Sequence, residues 1–259
     1  LQKIQEKSAV GYNVEHMPIH YLHLDTVDST NNWVKSHIEE LSSLTCVTAQ
    51  EQTAGRGRFK RHWVSPRGEN IYATLYLTIP LGSGYLTNLG QIMAFACAKV
   101  LRGIGFKAEL KWPNDILIQG RKIAGVLTET VTQDQEIGVI IGIGINVNMP
   151  TAALEAIGVP ATSLLQLSQK KWDLQEILEL VMDHFIQGLS VLQKEGFAPF
   201  QAPFEKILAY KGQEITLTDG THILKGLCHA ITKDGRLELK LASGEIKQVT
   251  AGEVIPRPA

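Results

Sequence analysis

The stretch "EIGVIIGIGINVN", residues 136–148, is almost wholly apolar until it ends in glycines and asparagines. A segment with apolar residues on both alternating faces must be covered on both faces. It therefore reads as the buried central strand of a sheet, and its far end as the approach to a site. Working outward, "AELKW" (108–112), "DILIQ" (115–119) and "KIAGVLTETV" (122–131) read as three more strands in quick succession, the last two joined by a hairpin turn at Gly120–Arg121. Upstream, "IYATLYLTI" (71–79) alternates Ile71, Ala73, Leu75, Leu77 and Ile79 with Tyr72, Thr74, Tyr76 and Thr78, which predicts a half-buried strand. Between these lies "LTNLGQIMAFACAKVLRGIG" (86–105), a mostly apolar and hence buried helix.

The flanks extend the pattern. "IHYLHLDTV" (19–27) reads as a strand, followed by a helix over 28–41 with Asp28 or Ser29 as its cap and Trp33, Val34, His37, Ile38 and Leu41 along one face. "LTCVTAQ" (44–50) is a further strand. After Pro150 the pattern turns helical, through 173–193 and then "APFEKILAY" (202–210), with Trp172–Asp173 read as a packed aromatic and a cap. From Lys211 onward, short strands separated by Asp-Gly and Ser-Gly turns predict a small β barrel. The expected organisation is an N-terminal extension (1–18), an α+β domain with a mixed or antiparallel sheet packed with helices (19–210), and a small β domain (211–259).

Composition narrows the function. With 25 Lys and Arg against 26 Asp and Glu in 259 residues, the formal net charge is −1, which lacks the global field of a general nucleic-acid binder. No apolar run is long enough to span a membrane, and the first 18 residues lack the apolar middle of a secretory signal, so a cytoplasmic protein is expected. Cys46, Cys97 and Cys228 are odd in number and far apart, which gives neither a disulfide framework nor zinc spacing. They read as packed thiols. The histidines His37, His62 and His184 are isolated and read as structural or solvent-facing.

Positive charge is concentrated in "GRGRFKRHW" (55–63), inside a long loop over 51–70 without apolar periodicity. Glycines let backbone N–H groups approach an anion, and arginines supply forked donors for phosphate or carboxylate. A bare GRGR is equally a solvated basic turn, and no Gly-x-x-x-x-Gly-Lys-Ser/Thr phosphate loop occurs. A second cluster is "KWPNDILIQGRKIAG" (111–125), which sets Lys111, Asn114 and Asp115 near Lys122. Turn structure alone would explain the Pro-Asn-Asp. Two lysines and a carboxylate would also suit a phosphate with its Mg²⁺. A third is "GIGINVN" (142–148), whose glycines either admit a flat ligand or relieve strand crowding.

Taken in order, "DSTNNW", "TAQEQTAGRGRFKRHWVSPRGENIYATLYL", "LKWPNDILIQGRKIAGVLTE" and "IGIGINVN" closely resemble the catalytic domain of biotin protein ligases, over about residues 19–150. The resemblance implies a class II synthetase-like catalytic domain and an SH3-like C-terminal barrel. It implies ATP and Mg²⁺ as requirements, biotin as substrate, and a biotin carboxyl carrier protein of acetyl-CoA carboxylase as acceptor, through a biotinyl-adenylate. Carried over residue by residue, Ser29, Thr30, Asn31 and Gln50 would hydrogen-bond biotin's ring system. Gly55 and Arg56 would close over it, and Gly125, Val126 and Leu127 would line its pocket. Arg56 and Arg58 would hold the adenylate's anionic oxygens and Lys122 the reacting carboxylate and α-phosphate. Trp63, Asn114 and Asn146 match the adenine side, Lys111 the phosphate side and Asp115 the metal. One departure stands out: Lys60 replaces a glycine that some members carry in the loop. With only about 18 residues before the resemblance begins, a DNA-binding repressor domain is not expected. Monomer and homodimer are left open.

Two rival readings remain. Lipoate-protein ligase shares the chemistry, but its glycine triplet with a nearby "HD" is absent. A nucleic-acid binder using the basic loop as an arm would show binding that weakens steeply with salt.

Overall fold

The structure, a computed structural model, describes residues 18–218 and 222–256. The expected extension over 1–18 thus lies outside the described residues, apart from Pro18. The larger sheet has seven strands in the order β1-β2-β3-β7-β6-β5-β4: β1 (His20–Val27), β2 (Thr45–Gln52), β3 (Ile71–Pro80), β4 (Ala108–Lys111), β5 (Asp115–Ile118), β6 (Arg121–Gln133) and β7 (Glu136–Ile145). β1 and β2 are parallel and all other neighbours antiparallel, so the sheet is mixed. The apolar stretch quoted first is its central strand.

Both sheet faces are covered, which corrects the half-buried reading of 71–79. Ile71, Ala73, Leu75, Leu77 and Ile79 of β3 join the main core with helices α2 (Leu89–Gly103) and α5 (Leu174–Glu195). On the opposite face, Tyr76 of β3 and Ile140 of β7 pack with Val34 of α1 (Thr30–Ser36) and Val47 of β2 in a second, smaller core. Alternation with tyrosine and threonine is compatible with burial because the hydroxyls of Tyr72, Thr74 and Tyr76 each find a partner. Tyr76 Oη donates to Gln133 (3.1 Å), Tyr72 Oη to Pro66 O (2.8 Å) and Thr74 Oγ1 to the α1 segment.

Several local expectations hold and three shift. Asp173 caps α5, accepting from Gln175 N and Glu176 N, and Trp172 packs edge-on against Phe106. α1 is shorter than read, and neither Asp28 nor Ser29 caps it with a side chain. Ser29 occupies the cap position with its hydroxyl unused for capping, while Asp28 accepts from Asn32. The β5–β6 turn is Gln119–Gly120, both left-handed (φ 53° and 72°), and Arg121 already belongs to β6. The last helix of the larger part, α6 (Ala198–Lys206), begins earlier than read and stops at Lys206. Its continuation is diverted into the sheet: Leu110 N donates to Ile207 O and Ala209 N to Leu110 O. Two short helices, α3 (Thr151–Glu155) and α4 (Leu164–Ser168), follow β7.

Residues from Glu214 form a five-stranded antiparallel sheet in the order β11-β10-β9-β8-β12, from β8 (Glu214–Thr218), β9 (Ile223–Ile231), β10 (Leu237–Lys240), β11 (Ile246–Val249) and β12 (Glu253–Pro256). Its apolar side is not separate. Ile215, Leu217, Cys228, Ile231, Leu237, Leu239 and Val254 belong to the same core as α2, α5 and β3. The β9–β10 turn is also fastened by polar groups: Trp112 Nε1 and Gln91 Nε2 both donate to Gly235 O (3.0 and 2.7 Å), and Asn88 Nδ2 to Asp234 O (3.0 Å).

All three cysteines are buried and free, and burial pushes the thiols of Cys46 and Cys97 up to about 12 and that of Cys228 to about 11. A buried, protonated thiol is a poor nucleophile. A thiol reagent at pH 8 should therefore label none of the three in the folded protein and all three in denaturant, measured by mass shift.

Candidate active site

The site lies on the α1 face of the large sheet, and the register explains its residues. Gly125, Leu127 and Glu129 of β6 share that face with Gly144, Gly142 and Ile140 of β7 and Tyr72, Thr74 and Tyr76 of β3, each set paired across the strands. The glycines make room for side chains. A Cβ on Gly125 would stand 2.9 Å from the Lys122 ammonium. One on Gly144 would stand 2.5 Å from the Trp63 indole, and one on Gly142 would collide with the Asn31 amide. The glycines of "GIGINVN" thus admit Asn31 and Trp63, which the sequence alone did not specify.

One end of the site is a cation cluster. Asp115 sits between two lysines, its Oδ1 2.6 Å from Lys122 Nζ and its Oδ2 3.5 Å from Lys111 Nζ. The Lys122 backbone is fixed by Pro160 O and Thr162 N, and its ammonium stands 5.4 Å from the centroid of the Trp63 ring. Arg58 enters from the loop, donating to Asn114 Oδ1 (2.9 Å) and to Gly252 O (3.0 Å). Both partners are neutral, so Arg58 is a partly buried cation without a carboxylate of its own, and burial lowers its pKa. Three cations against one carboxylate leave this end positive and suited to an anion.

The other end is built from α1. Ser29, Thr30 and Asn31 are all buried. Thr30 N and Oγ1 donate to Gln52 Oε1 (2.9 and 3.2 Å), Gln52 Nε2 donates to Ser65 Oγ (2.9 Å), and Ser65 Oγ to Trp63 O (2.9 Å). Thr74 Oγ1 lies 2.7 Å from Asn31 Oδ1 and 2.8 Å from Thr30 Oγ1. A cleft of about 350 Å³ opens beneath the loop, bounded by residues 54–62 and Leu127.

Not every expected residue falls where it was placed. Gln52, not Gln50, is joined to Thr30; Gln50 instead contacts His23 of β1 (3.2 Å). Val126 points to the opposite face, into the main core, and its backbone N and O are both engaged by Asn114, so it offers no wall to the site. The Asn114 amide is used within the protein, holding Arg58 on one side and Val126 O on the other. Asn146 is buried just past β7, with its backbone paired to Ile123 and Leu164. Gly55 lets the two arms of the loop close: Trp63 N donates to its carbonyl (2.8 Å), and a Cβ there would meet Ser65 Oγ at 2.7 Å. Arg56 contacts Asn32 Oδ1 (2.5 Å) and Glu129 (3.1 Å). Trp63 keeps a buried Nε1–H with no acceptor among the described residues.

The loop is ordered by a partner that local sequence does not signal. Arg61 forms two bonds to Glu253 of β12 (2.5 and 2.6 Å), next to the Arg58–Gly252 contact. Phe59 and Lys60 between them are left-handed, at φ 55° and 59°. Lys60 thus stands where a glycine would carry no Cβ penalty.

Both parts of the chain resemble known proteins. Residues 23–146 match the model of the biotin/lipoate A/B protein ligase family and residues 211–257 that of the biotin protein ligase C-terminal domain. The chain is 32% identical over 238 residues to the bifunctional ligase/repressor BirA of Escherichia coli, covering 91% of this chain and 74% of that one. The chain belongs to the biotin protein ligase family. It is 33% identical to the biotin–[acetyl-CoA-carboxylase] ligase of Paracoccus denitrificans over 237 residues, covering 89% of this chain and 98% of that one. The Aquifex aeolicus biotin protein ligase in complex with biotin and ATP superposes with a TM-score of 0.80 at 30% identity, covering 93% of this chain and 99% of that one. The mixed sheet with helices and a small C-terminal antiparallel sheet is the family's fold. Among the described residues no helix is long and apolar enough to cross a membrane.

Two outcomes follow from the geometry. Gly125→Ala should displace Lys122 from Asp115 and lower the rate of a reaction using that ammonium by about a hundredfold, while circular dichroism stays unchanged. The Arg61 bonds hold Glu253 below its ordinary value of 4.5. A depressed carboxyl stabilises above its unfolded value and loses that contribution as pH falls through the folded one. Glu253→Gln should thus lower Tm at pH 7 by about 2–4 °C or less, a contribution of about 1 kcal/mol at most for a half-exposed pair. The difference should shrink as pH drops below 4.5, the ordinary value, in melts of both proteins across that range.

Proposed function

We propose that the chain is an ATP-dependent biotin protein ligase, which activates biotin as biotinyl-5'-AMP and transfers it to a lysine of the biotin carboxyl carrier protein of acetyl-CoA carboxylase. The observation that carries the reading is the pairing of a cation cluster (Arg58, Lys111, Lys122) with a buried polar pocket from α1, on one sheet face. A carboxylate and a triphosphate repel one another, and bringing them into contact needs cations fixed in advance. Lys122 and Lys111, aimed by Asp115, would meet the reacting carboxylate and the α-phosphate. Arg58, charged but lacking a carboxylate partner, would hold the anionic oxygens of the adenylate. Ser29 and Thr30 would bind the ring system of biotin, and Trp63 the adenine.

Biotin's carboxylate oxygen bonds to the α-phosphorus and the bond to pyrophosphate breaks. In the second step the acceptor lysine's amine attacks the anhydride carbonyl, AMP leaves, and the amine loses a proton. The nucleophile belongs to the acceptor, so no side chain of this chain needs to become covalent. Asp115 is a single carboxylate flanked by ammonium groups, and no cluster of three or more metal-ligating residues occurs among the described residues. That donor set fits a magnesium ion carried on the nucleotide's phosphates, not one held by protein alone. Bound there, the ion would neutralise phosphate charge.

Incubation with ATP, Mg²⁺ and biotin should add one biotinyl group (biotin less a water) to a carrier domain by mass, and lipoate in place of biotin should add nothing. Lys122→Ala should lower biotin-dependent pyrophosphate exchange by about a hundredfold or more, with Tm retained because the side chain is one-third exposed. Near-normal exchange in that variant, or transfer of lipoate instead, would reject the reading.

A further inference from the structure

Glu129 has no role in the reaction just described, yet its carboxylate joins α1 to the basic loop. Oε2 accepts from Asn31 Nδ2 (3.0 Å) on α1, and both oxygens accept from Arg56 of the loop (3.1 Å to Oε1, 3.4 Å to Oε2). Arg56 is bound from its other side by Asn32 Oδ1 (2.5 Å), which Asp28 in turn holds through Asn32 Nδ2 (2.6 Å). The Asn31 amide is saturated by protein: its Nδ2 also donates to Leu127 O (3.3 Å) and its Oδ1 accepts from Thr74. Asn31 is therefore a strut and not a free ligand group. The carboxylate is mostly covered (18% exposed) while its partner Arg56 is 40% exposed, so the fixed member of the pair is Glu129 and the recruited one is the loop.

We propose that Glu129 is a positioning residue that ties the basic loop to α1 before any ligand arrives, so that the wall over the biotin pocket is set by the protein. The proposal rests on the functional reading for its catalytic consequence only. Glu129→Gln keeps one carbonyl oxygen, which can still accept from the buried Asn31 amide, but it removes the charge and the second acceptor that hold Arg56. The loop should then open more often, exposing its Arg56, Arg58, Lys60 and Arg61 peptide bonds. The loss of one charge-assisted contact corresponds to about a ten- to a hundredfold change in that equilibrium.

The test is trypsin cleavage of the ligand-free chain, followed at the loop by mass spectrometry. Glu129→Gln should be cut there at least tenfold faster than wild type, Arg56→Gln should match it at the remaining loop sites, and the double variant should be no faster than either single one. Arg56→Gln leaves the sheet untouched and serves if Glu129→Gln folds poorly. A second measurement is escape of biotinyl-adenylate into solution. Charge alone predicts tighter retention of the anion once Glu129 is neutral, so faster escape in Glu129→Gln reports lost order. Wild-type cleavage rates in Glu129→Gln, additive effects in the double variant, or slower adenylate escape would overturn the proposal. If wild type forms no adenylate, the functional reading falls while the proteolysis still decides the coupling.

Discussion

The site depends on what is missing from three positions of the sheet. Gly125, Gly142 and Gly144 carry no side chain on the α1 face, and the space is taken by Lys122, Asn31 and Trp63. A methyl group at any of them would displace a functional side chain. Steric room on two adjacent strands thus fixes the positions of an ammonium, an amide strut and an indole at once. The same strands turn their other face to the main core, where Ile141, Ile143 and Ile145 are buried. Packing density on that side keeps the strands from shifting, so the bare face is held by a crowded one.

Electrostatics divides the site in two. At the phosphate end, Arg58, Lys111 and Lys122 outnumber Asp115, and the excess charge has no internal partner. At the other end Arg56 is neutralised by Glu129, and the surrounding groups are hydroxyls and amides. Such a gradient is complementary to a molecule with one anionic and one neutral polar end. It also separates two arginines that look equivalent in the sequence: Arg56 is paired with a carboxylate, and Arg58 is bonded only to neutral oxygens.

The C-terminal sheet contributes to the site as well as to the fold. Gly252 and Glu253 hold Arg58 and Arg61, the β9–β10 turn accepts from Trp112, and one apolar core runs through both parts. The loop between Gly57 and Arg61 takes two consecutive left-handed residues that are not glycine, a costly conformation. These contacts to β12 offset that cost, so loop and C-terminal sheet form one mechanical unit.

Much of this was legible in the chain itself. Apolar continuity marked β7 as central, period-two alternation marked β3, and the resemblance carried by the four ordered motifs implied that Lys111, Asp115, Lys122, Arg58 and the Ser29–Asn31 segment share a site. Local sequence carries such information because strand periodicity and motif order are properties of neighbours along the chain. The period of two along β6 would also have put Glu129 beside Gly125 and Leu127, and it shows equally that Val126 faces the core. Other features had no local signal. Gln52 rather than Gln50 serves Thr30 because of how β2 meets α1, a geometry set by packing and not by residue type. Arg61 finds Glu253 across 192 residues, and Arg58 finds Gly252 across 194. Whether a cation is paired internally or left free depends on which distant oxygens the fold brings within 3 Å, and only the tertiary structure decides that.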